Sequence, residues 1–176
     1  MKIQVFFLIS FFLVSLPFFG QNVTFEQAQN LRKKPLAEVE SFLVAKKWEM
    51  TEAMESSDDK MGKAVFGYGV NQFDNEKALA WIIYYESSYG ANFNRLTIQV
   101  HKQSVYSVFL ARLAPNGYKL KKTKIIDGGI EKVYKNATTT CVVTTGTTEG
   151  PFSRGSAYSF FFIDNISYQL QFEDDE

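Results

Sequence analysis

The sequence predicts an α+β protein whose antiparallel β-sheet has helices packed on one face. Apolar residues recur at helical spacing between residues 35 and 47. Residues 95–102 instead alternate between apolar and polar side chains, which is typical of a strand with one wet face. Five further strand-like segments follow residue 117, separated by turn residues.

The helices are predicted from a capping motif and from apolar spacing. Thr24 is followed three residues later by Gln27, which forms a capping box and predicts a short helix to about residue 33. Pro35 would interrupt that helix and open a second one over residues 35–47. Residues 104–113 fit helical spacing less clearly, so their structure is left open between helix and strand.

Residues 51–62 are mostly polar and are expected to form a loop. Residues 78–86 are apolar in both alternating sets, which indicates a central strand buried on two faces. Asp164-Asn165 is predicted to form a two-residue hairpin turn. The predicted strands are residues 63–70, 78–86, 95–102, 118–126, 130–136, 138–145, 157–163 and 167–172.

The order of these elements predicts two tandem helix-plus-β repeats. Trp81 of the first half is matched with Cys141 of the second. A small sheet with one apolar face needs a partner to bury it, so residues 21–102 and 103–176 are expected to share one core. Three helical landmarks recur with the same spacing in the two halves: Val39, Leu43 and Trp48 against Phe109, Leu113 and Tyr118.

Residues 1–20 have the order of a secretory signal peptide. Lys2 gives a positive start, residues 5–19 carry no charge, and Gly20 precedes a polar stretch. The apolar run is shorter than the roughly 20 residues that span a bilayer, which favours cleavage over an uncleaved anchor. The mature chain of 156 residues is therefore expected to be secreted or periplasmic. Any membrane contact would come through an uncleaved leader.

Charge and residue types exclude several kinds of chemistry. The chain has 19 basic and 19 acidic residues, so it lacks the basic excess that binds nucleic acid or anionic lipid. One histidine and one cysteine cannot supply the usual zinc or copper ligands. Cys141 lies in a β-branched run and is expected to be a buried strand residue, and His101 an exposed one. We predict no catalytic residue, no cofactor and no metal.

Four lysines, Lys119, Lys121, Lys122 and Lys124, fall on one predicted strand. They could form a site for an anionic partner, or they could guard an edge strand against unwanted pairing. Simple alternation along a strand would place these charges on both faces, which favours the guarded edge.

Two glycine-bearing loops, residues 86–94 and 146–156, are candidate binding sites. They fall at corresponding places in the two proposed halves, and loops on a rigid sheet often carry binding residues. The alternative is that their aromatic side chains fold back as lids on the core. The candidate anchors are Tyr89, Phe93, Phe152 and Arg154.

The expected function is non-catalytic binding of a macromolecule, with a protein as the partner and an inhibitor-like or envelope-accessory role. The layout is similar to that of secreted protease- and β-lactamase-inhibitor scaffolds, although no residue motif supports a family. Two alternatives stay open. One is a carrier of a small apolar ligand, with a cavity lined by residues such as Trp81 and Phe160. The other is a metal-free hydrolase that uses two carboxylates.

Overall fold

The computed structural model describes residues 22–57, 60–73, 78–126, 128–150 and 153–173, with the backbone alone at 147–150 and 153–155. The predicted leader lies outside these ranges. The described chain forms an eight-stranded antiparallel sheet with four α-helices, which confirms the predicted α+β class. In this part of the chain, no helix is both long enough and apolar enough to cross a membrane.

The helices are α1 (Phe25–Leu31), α2 (Leu36–Ala45), α3 (Gln103–Leu113) and α4 (Asn165–Phe172). The strands are β1 (Trp48–Met54), β2 (Gly62–Tyr68), β3 (Ala80–Glu86), β4 (Arg95–Val100), β5 (Lys119–Ile126), β6 (Gly129–Lys135), β7 (Thr139–Gly150) and β8 (Ser153–Asp164).

The strand order across the sheet is β1-β2-β3-β4-β8-β7-β6-β5. Each half of the chain thus contributes a four-stranded meander, and the two meanders join where β4 pairs with β8. A helix precedes each meander, α2 before β1 and α3 before β5. A common origin of the two halves stays a prediction.

Helices α1, α2 and α3 pack on one face of the sheet. Phe25 of α1 lies at the centre of this core, with its ring centroid 5.9 Å from that of Phe109 and 5.3 Å from that of Phe162. Phe160 and Phe162 point towards these helices, and Phe161 points to the opposite face because successive strand residues alternate. Two of the six landmarks predicted from sequence lie outside the helices, since Trp48 begins β1 and Tyr118 precedes β5. All six are nevertheless buried in this core: Val39, Leu43, Trp48, Phe109, Leu113 and Tyr118.

Helix α4 packs on the other face, against the second half of the sheet. Tyr168 is buried there with Val133, Val142 and Ile163. The strand predicted at 167–172 and the hairpin turn at Asp164-Asn165 are therefore wrong. The Asp164 side chain accepts a hydrogen bond from the backbone N–H of Ser167 at 2.8 Å, so it caps a helix at this position.

Two further predictions need correction. Residues 51–54, expected in a loop, belong to β1, whose side chains are mostly exposed because it is an edge strand. The match of Trp81 with Cys141 is shifted by one residue. Ile82 and Cys141 both point into the helix-covered core, whereas Trp81 points to the other face. The ambiguous segment at 104–113 lies within α3.

Candidate binding site at the β3–β4 loop

The loop between β3 and β4, residues 87–94, exposes an aromatic side chain at its tip. Tyr89 is 80% exposed and Phe93 is 40% exposed. Gly90 has a φ of 112°, a backbone conformation that favours glycine, and a short 3-10 helix follows it at Ala91–Phe93. The Tyr89 ring therefore points into solvent and does not cover the core.

Asn94 holds the base of this loop, and only 1% of it is exposed. Its side-chain oxygen accepts a hydrogen bond from the Ser87 N–H at 2.8 Å, which closes the loop on itself. Its amide nitrogen donates to the Tyr84 hydroxyl at 2.6 Å and to the Lys34 carbonyl at 3.3 Å. One side chain thus ties both ends of the loop to β3 and to the chain between α1 and α2.

Arg32 holds the same loop from the end of α1. It is 2% exposed, and its Nη1 donates to the carbonyls of Asn92 at 2.8 Å and of Asn94 at 3.0 Å. Burial lowers the pKa of Arg32, and the nearby Asp164 carboxylate works in the opposite direction. A guanidinium stays protonated under all ordinary conditions, so these are charge-assisted hydrogen bonds.

Tyr84 completes the network beneath the loop. Its hydroxyl donates to the Lys34 carbonyl at 2.5 Å while accepting from Asn94. Burial first, and then the charge of Glu86, raise the pKa of this phenol well above its ordinary value. The hydroxyl consequently keeps its proton and its donor role at neutral pH.

The second candidate loop lies elsewhere on the molecule. Phe152 falls outside the described residues, and Arg154 is described as backbone within β8 but not as a side chain. Because β4 and β8 run antiparallel, the loop before β4 and the first described residues of β8 lie at opposite ends of the sheet. Tyr89 and Phe93 therefore lie in one loop, at the opposite end of the sheet from the described residues at the start of β8.

A different feature, an apolar groove of about 490 Å³, lies between the start of α1 and α3. Val105, Val108 and Phe109 of α3 line one side, and Val23 and Phe25 line the other. Sequence reasoning placed a ligand cavity at Trp81 and Phe160 instead, but these two side chains point to opposite faces of the sheet. The sequence signal that could have indicated the groove is the apolar residue Val108 of α3. In the structure this side chain stays 60% exposed.

Neither the cysteine nor the histidine of the chain is fully exposed. Cys141 is fully buried, and burial raises the pKa of its thiol well above the ordinary value, so the reactive thiolate is disfavoured. His101, expected on the surface, is only partly exposed, and its Nε2 is buried. In the described ranges, no group of three or more His, Cys, Asp or Glu residues could hold a metal ion.

Comparison with known proteins gives no family: no protein-family model, curated protein or solved structure matches the chain.

Proposed function

We propose that the protein is a secreted or periplasmic, non-catalytic binding protein whose β3–β4 loop contacts a protein partner. The observation that supports this most is the contrast within the loop. Tyr89 is 80% exposed, while Asn94 and Arg32 beneath it are 1% and 2% exposed and fix its backbone. Tyrosine is a frequent anchor residue at protein interfaces, and a loop that is already ordered loses little entropy on binding.

An inhibitor-like or envelope-accessory role suits this geometry. A loop with a projecting aromatic side chain fits into a recess on a partner, where the ring is desolvated. The location outside the cytoplasm rests on the predicted leader at residues 1–20. Burial raises the pKa of the Cys141 thiol, so this side chain is a poor nucleophile.

Site-specific photo-crosslinking tests this function. A photoreactive phenylalanine analogue replaces Tyr89 in the producing cells, and the matched control carries it at Phe73, which is 96% exposed in another loop. We expect a defined cross-linked partner at position 89 that is absent at position 73. Equal cross-linking at both positions would contradict a specific site.

The affinity for that partner gives the second measurement. Because a central tyrosine anchor contributes about 1–2 kcal/mol or more, Tyr89→Ala should weaken binding about tenfold or more. Phe73→Ala should leave it unchanged. If the two variants bind equally well, the β3–β4 loop is not the contact surface.

A second candidate function, carriage of a small apolar ligand, is supported by the groove between α1 and α3. Its volume of about 490 Å³ lies in the range of small-molecule sites. Val108→Trp should fill the groove and abolish binding of a fluorescent apolar probe. Val44→Trp, at a 54% exposed position of α2, is the control. Equal probe binding by both variants, with no bound mass in native mass spectrometry, would remove this candidate.

A further inference from the structure

The two edge strands of the sheet carry opposite charges. Strand β1 contains Glu49 and Glu52 and no basic residue, whereas β5 contains four lysines and no acidic residue. Both strands lie at the edge of the eight-stranded sheet, and their charged side chains are exposed. Each edge presents backbone N–H and C=O groups with no neighbouring strand among the described residues.

A bulge in β5 places its lysines differently from the simple alternation expected from sequence. The register shifts between Leu120 and Lys122. Lys119, Lys122 and Lys124 consequently pair with Lys135, Val133 and Glu131, which share one face of the sheet. Three of the four lysines therefore point to the face that α4 covers, because the bulge, which simple alternation does not include, changes the order of the side chains.

Strand β1 has a bulge at the corresponding place, between Met50 and Glu52. Glu49 lies opposite Gly67 and Glu52 lies opposite Val65, on the face away from α1, α2 and α3. That is the same face of the sheet to which the β5 lysines point. The acidic pair and the basic row thus lie on one continuous face, at its two ends.

We propose that these edges bind one another between copies of this chain, with β1 of one copy pairing with β5 of the next. Adjacent strands are antiparallel throughout the sheet, so β1 and β5 run in opposite directions. A second copy placed beside the first therefore continues an antiparallel sheet, with the same face outward. Glu49 and Glu52 are two pairing positions apart, as are Lys122 and Lys124, so both glutamates meet lysines at once.

The charges also select against the alternative pairings. Contact between two β1 strands would oppose glutamates, and contact between two β5 strands would oppose lysines, and directly opposed like charges destabilise a sheet. Lysines that served only to guard an edge would not require acidic residues at the other edge. The resulting contact is head-to-tail, so it generates chains or rings of copies.

Existing ion pairs fit this arrangement. Glu52 pairs with Lys63 of β2 at 2.8 Å, and Lys124 pairs with Glu131 of β6 at 3.0 Å. Across the proposed contact, the charges alternate in sign. Lys63 and Glu52 of one copy would be followed by a β5 lysine and Glu131 of the next copy. Alternating rows stabilise each charge from both sides, and the contact should weaken as salt rises.

Sedimentation velocity of the purified protein at low and high salt tests the proposal. We expect concentration-dependent association at low salt that salt reverses. The variant Lys119→Glu with Lys122→Glu places two glutamates on the β5 edge as well as on β1, and the variant Glu49→Lys with Glu52→Lys has two basic edges. Each alone should associate at least about tenfold more weakly than the unaltered protein, and an equimolar mixture of the two should regain association.

The control is Lys33→Glu with Lys34→Glu, an equal change of charge at exposed positions between α1 and α2. It should associate like the unaltered protein. All variants change exposed side chains, so their far-ultraviolet circular dichroism and thermal midpoints should report intact folding. A protein that stays monomeric at low salt, or a variant mixture that fails to regain association, would overturn the proposal.

Discussion

Thr97 lies directly opposite Phe161 in the pairing between β4 and β8. On either side of this pair, Leu96 faces Phe162 and Ile98 faces Phe160. All four of these flanking side chains have no exposed surface and belong to the helix-covered core. The junction between the two halves is consequently fully buried on its helix-covered face, so the halves share their core across it.

Alanine substitutions at this junction should show how much each face of the sheet contributes to the free energy of unfolding. Phe162→Ala removes a fully buried ring beside Phe25 and should destabilise the protein by about 3–5 kcal/mol. Phe161→Ala affects a half-buried ring on the α4 face and should cost less. Urea unfolding followed by circular dichroism measures both values. Equal losses would contradict the assignment of Phe162 to the main core.

Much of this fold could be predicted where one periodicity dominates. The alternation at 95–102 predicted β4 correctly. In the structure, the apolar side chains of this strand are buried and the polar ones are only partly covered. The capping box at Thr24 predicted α1, and both of its reciprocal hydrogen bonds are present. In these segments local propensity and tertiary packing favour the same structure.

The failures have physical reasons. Ile166, Tyr168, Leu170 and Phe172 alternate with polar residues and so indicate a strand, yet the segment is α4. Tyr168 and Phe172 lie one helical turn apart and pack together, while Ile166 and Leu170 remain 67% and 65% exposed. Pattern alone does not distinguish the two, because residues four apart share a face in both structures.

The β3–β4 loop could be singled out from its composition, but the residues that hold its backbone could not. Tyr89 and Phe93 attract notice as aromatic residues in a polar, glycine-bearing segment. Arg32 lies more than fifty residues earlier, and nothing in its surroundings in the sequence indicates a contact with Asn92. The β5 bulge likewise depends on pairing with β6, which a single strand's sequence does not show.

Asn94→Ala should loosen the β3–β4 loop. The substitution leaves the partly buried Ser87 N–H without its acceptor and removes the donor to Tyr84, so we expect a loss of about 1–3 kcal/mol in unfolding free energy. Hydrogen exchange at residues 87–94 should become faster. Asn92→Ala is the control, since Asn92 contributes its carbonyl to the Arg32 contact. Comparable exchange in both variants would show that the Asn94 side chain does not order the loop.

Arg32→Lys should show whether the charge of Arg32 or the geometry of its side chain stabilises the β3–β4 loop. Both hydrogen bonds come from one guanidinium nitrogen, Nη1. A lysine keeps the positive charge and has three N–H donors, but its side chain is shorter and its ammonium is not planar, so we expect one of the two carbonyl contacts to be lost. We expect a loss of about 1.5–3 kcal/mol in urea unfolding. Lys33→Arg, at the exposed neighbouring position, should leave stability unchanged. A fully stable Arg32→Lys protein would mean that charge alone holds the loop.

Cys141 should be unreactive in the folded protein. It has no exposed surface, and burial raises the pKa of its thiol, so both access and thiolate formation are disfavoured. A thiol reagent added at pH 8 should label the protein only in denaturant. Labelling under native conditions at the rate of the denatured chain would show that this part of the core opens readily.

The stability of the protein should fall at alkaline pH because of two buried tyrosines. Burial raises the pKa of Tyr84 and of Tyr118 above the ordinary value of 10.0, and Tyr118 is hydrogen-bonded by Gln29. A phenol whose pKa is higher in the folded state stabilises that state fully below the unfolded pKa. This stabilisation is lost as pH rises from about 10 through the folded pKa, because the unfolded chain ionises first. Urea unfolding between pH 8 and pH 11 should therefore show a decline in stability that begins near pH 10. The absorbance of ionised tyrosine at 295 nm should show that the two buried tyrosines ionise later than exposed ones, until the protein unfolds.

Tyr84→Phe and Tyr118→Phe should lower stability at neutral pH, since each removes a buried hydrogen-bonding hydroxyl, and should flatten the alkaline decline. Tyr89→Phe, at an 80% exposed position, is the control and should change neither. A decline equally steep in the Tyr84→Phe, Tyr118→Phe double variant would mean that other groups cause the alkaline loss of stability.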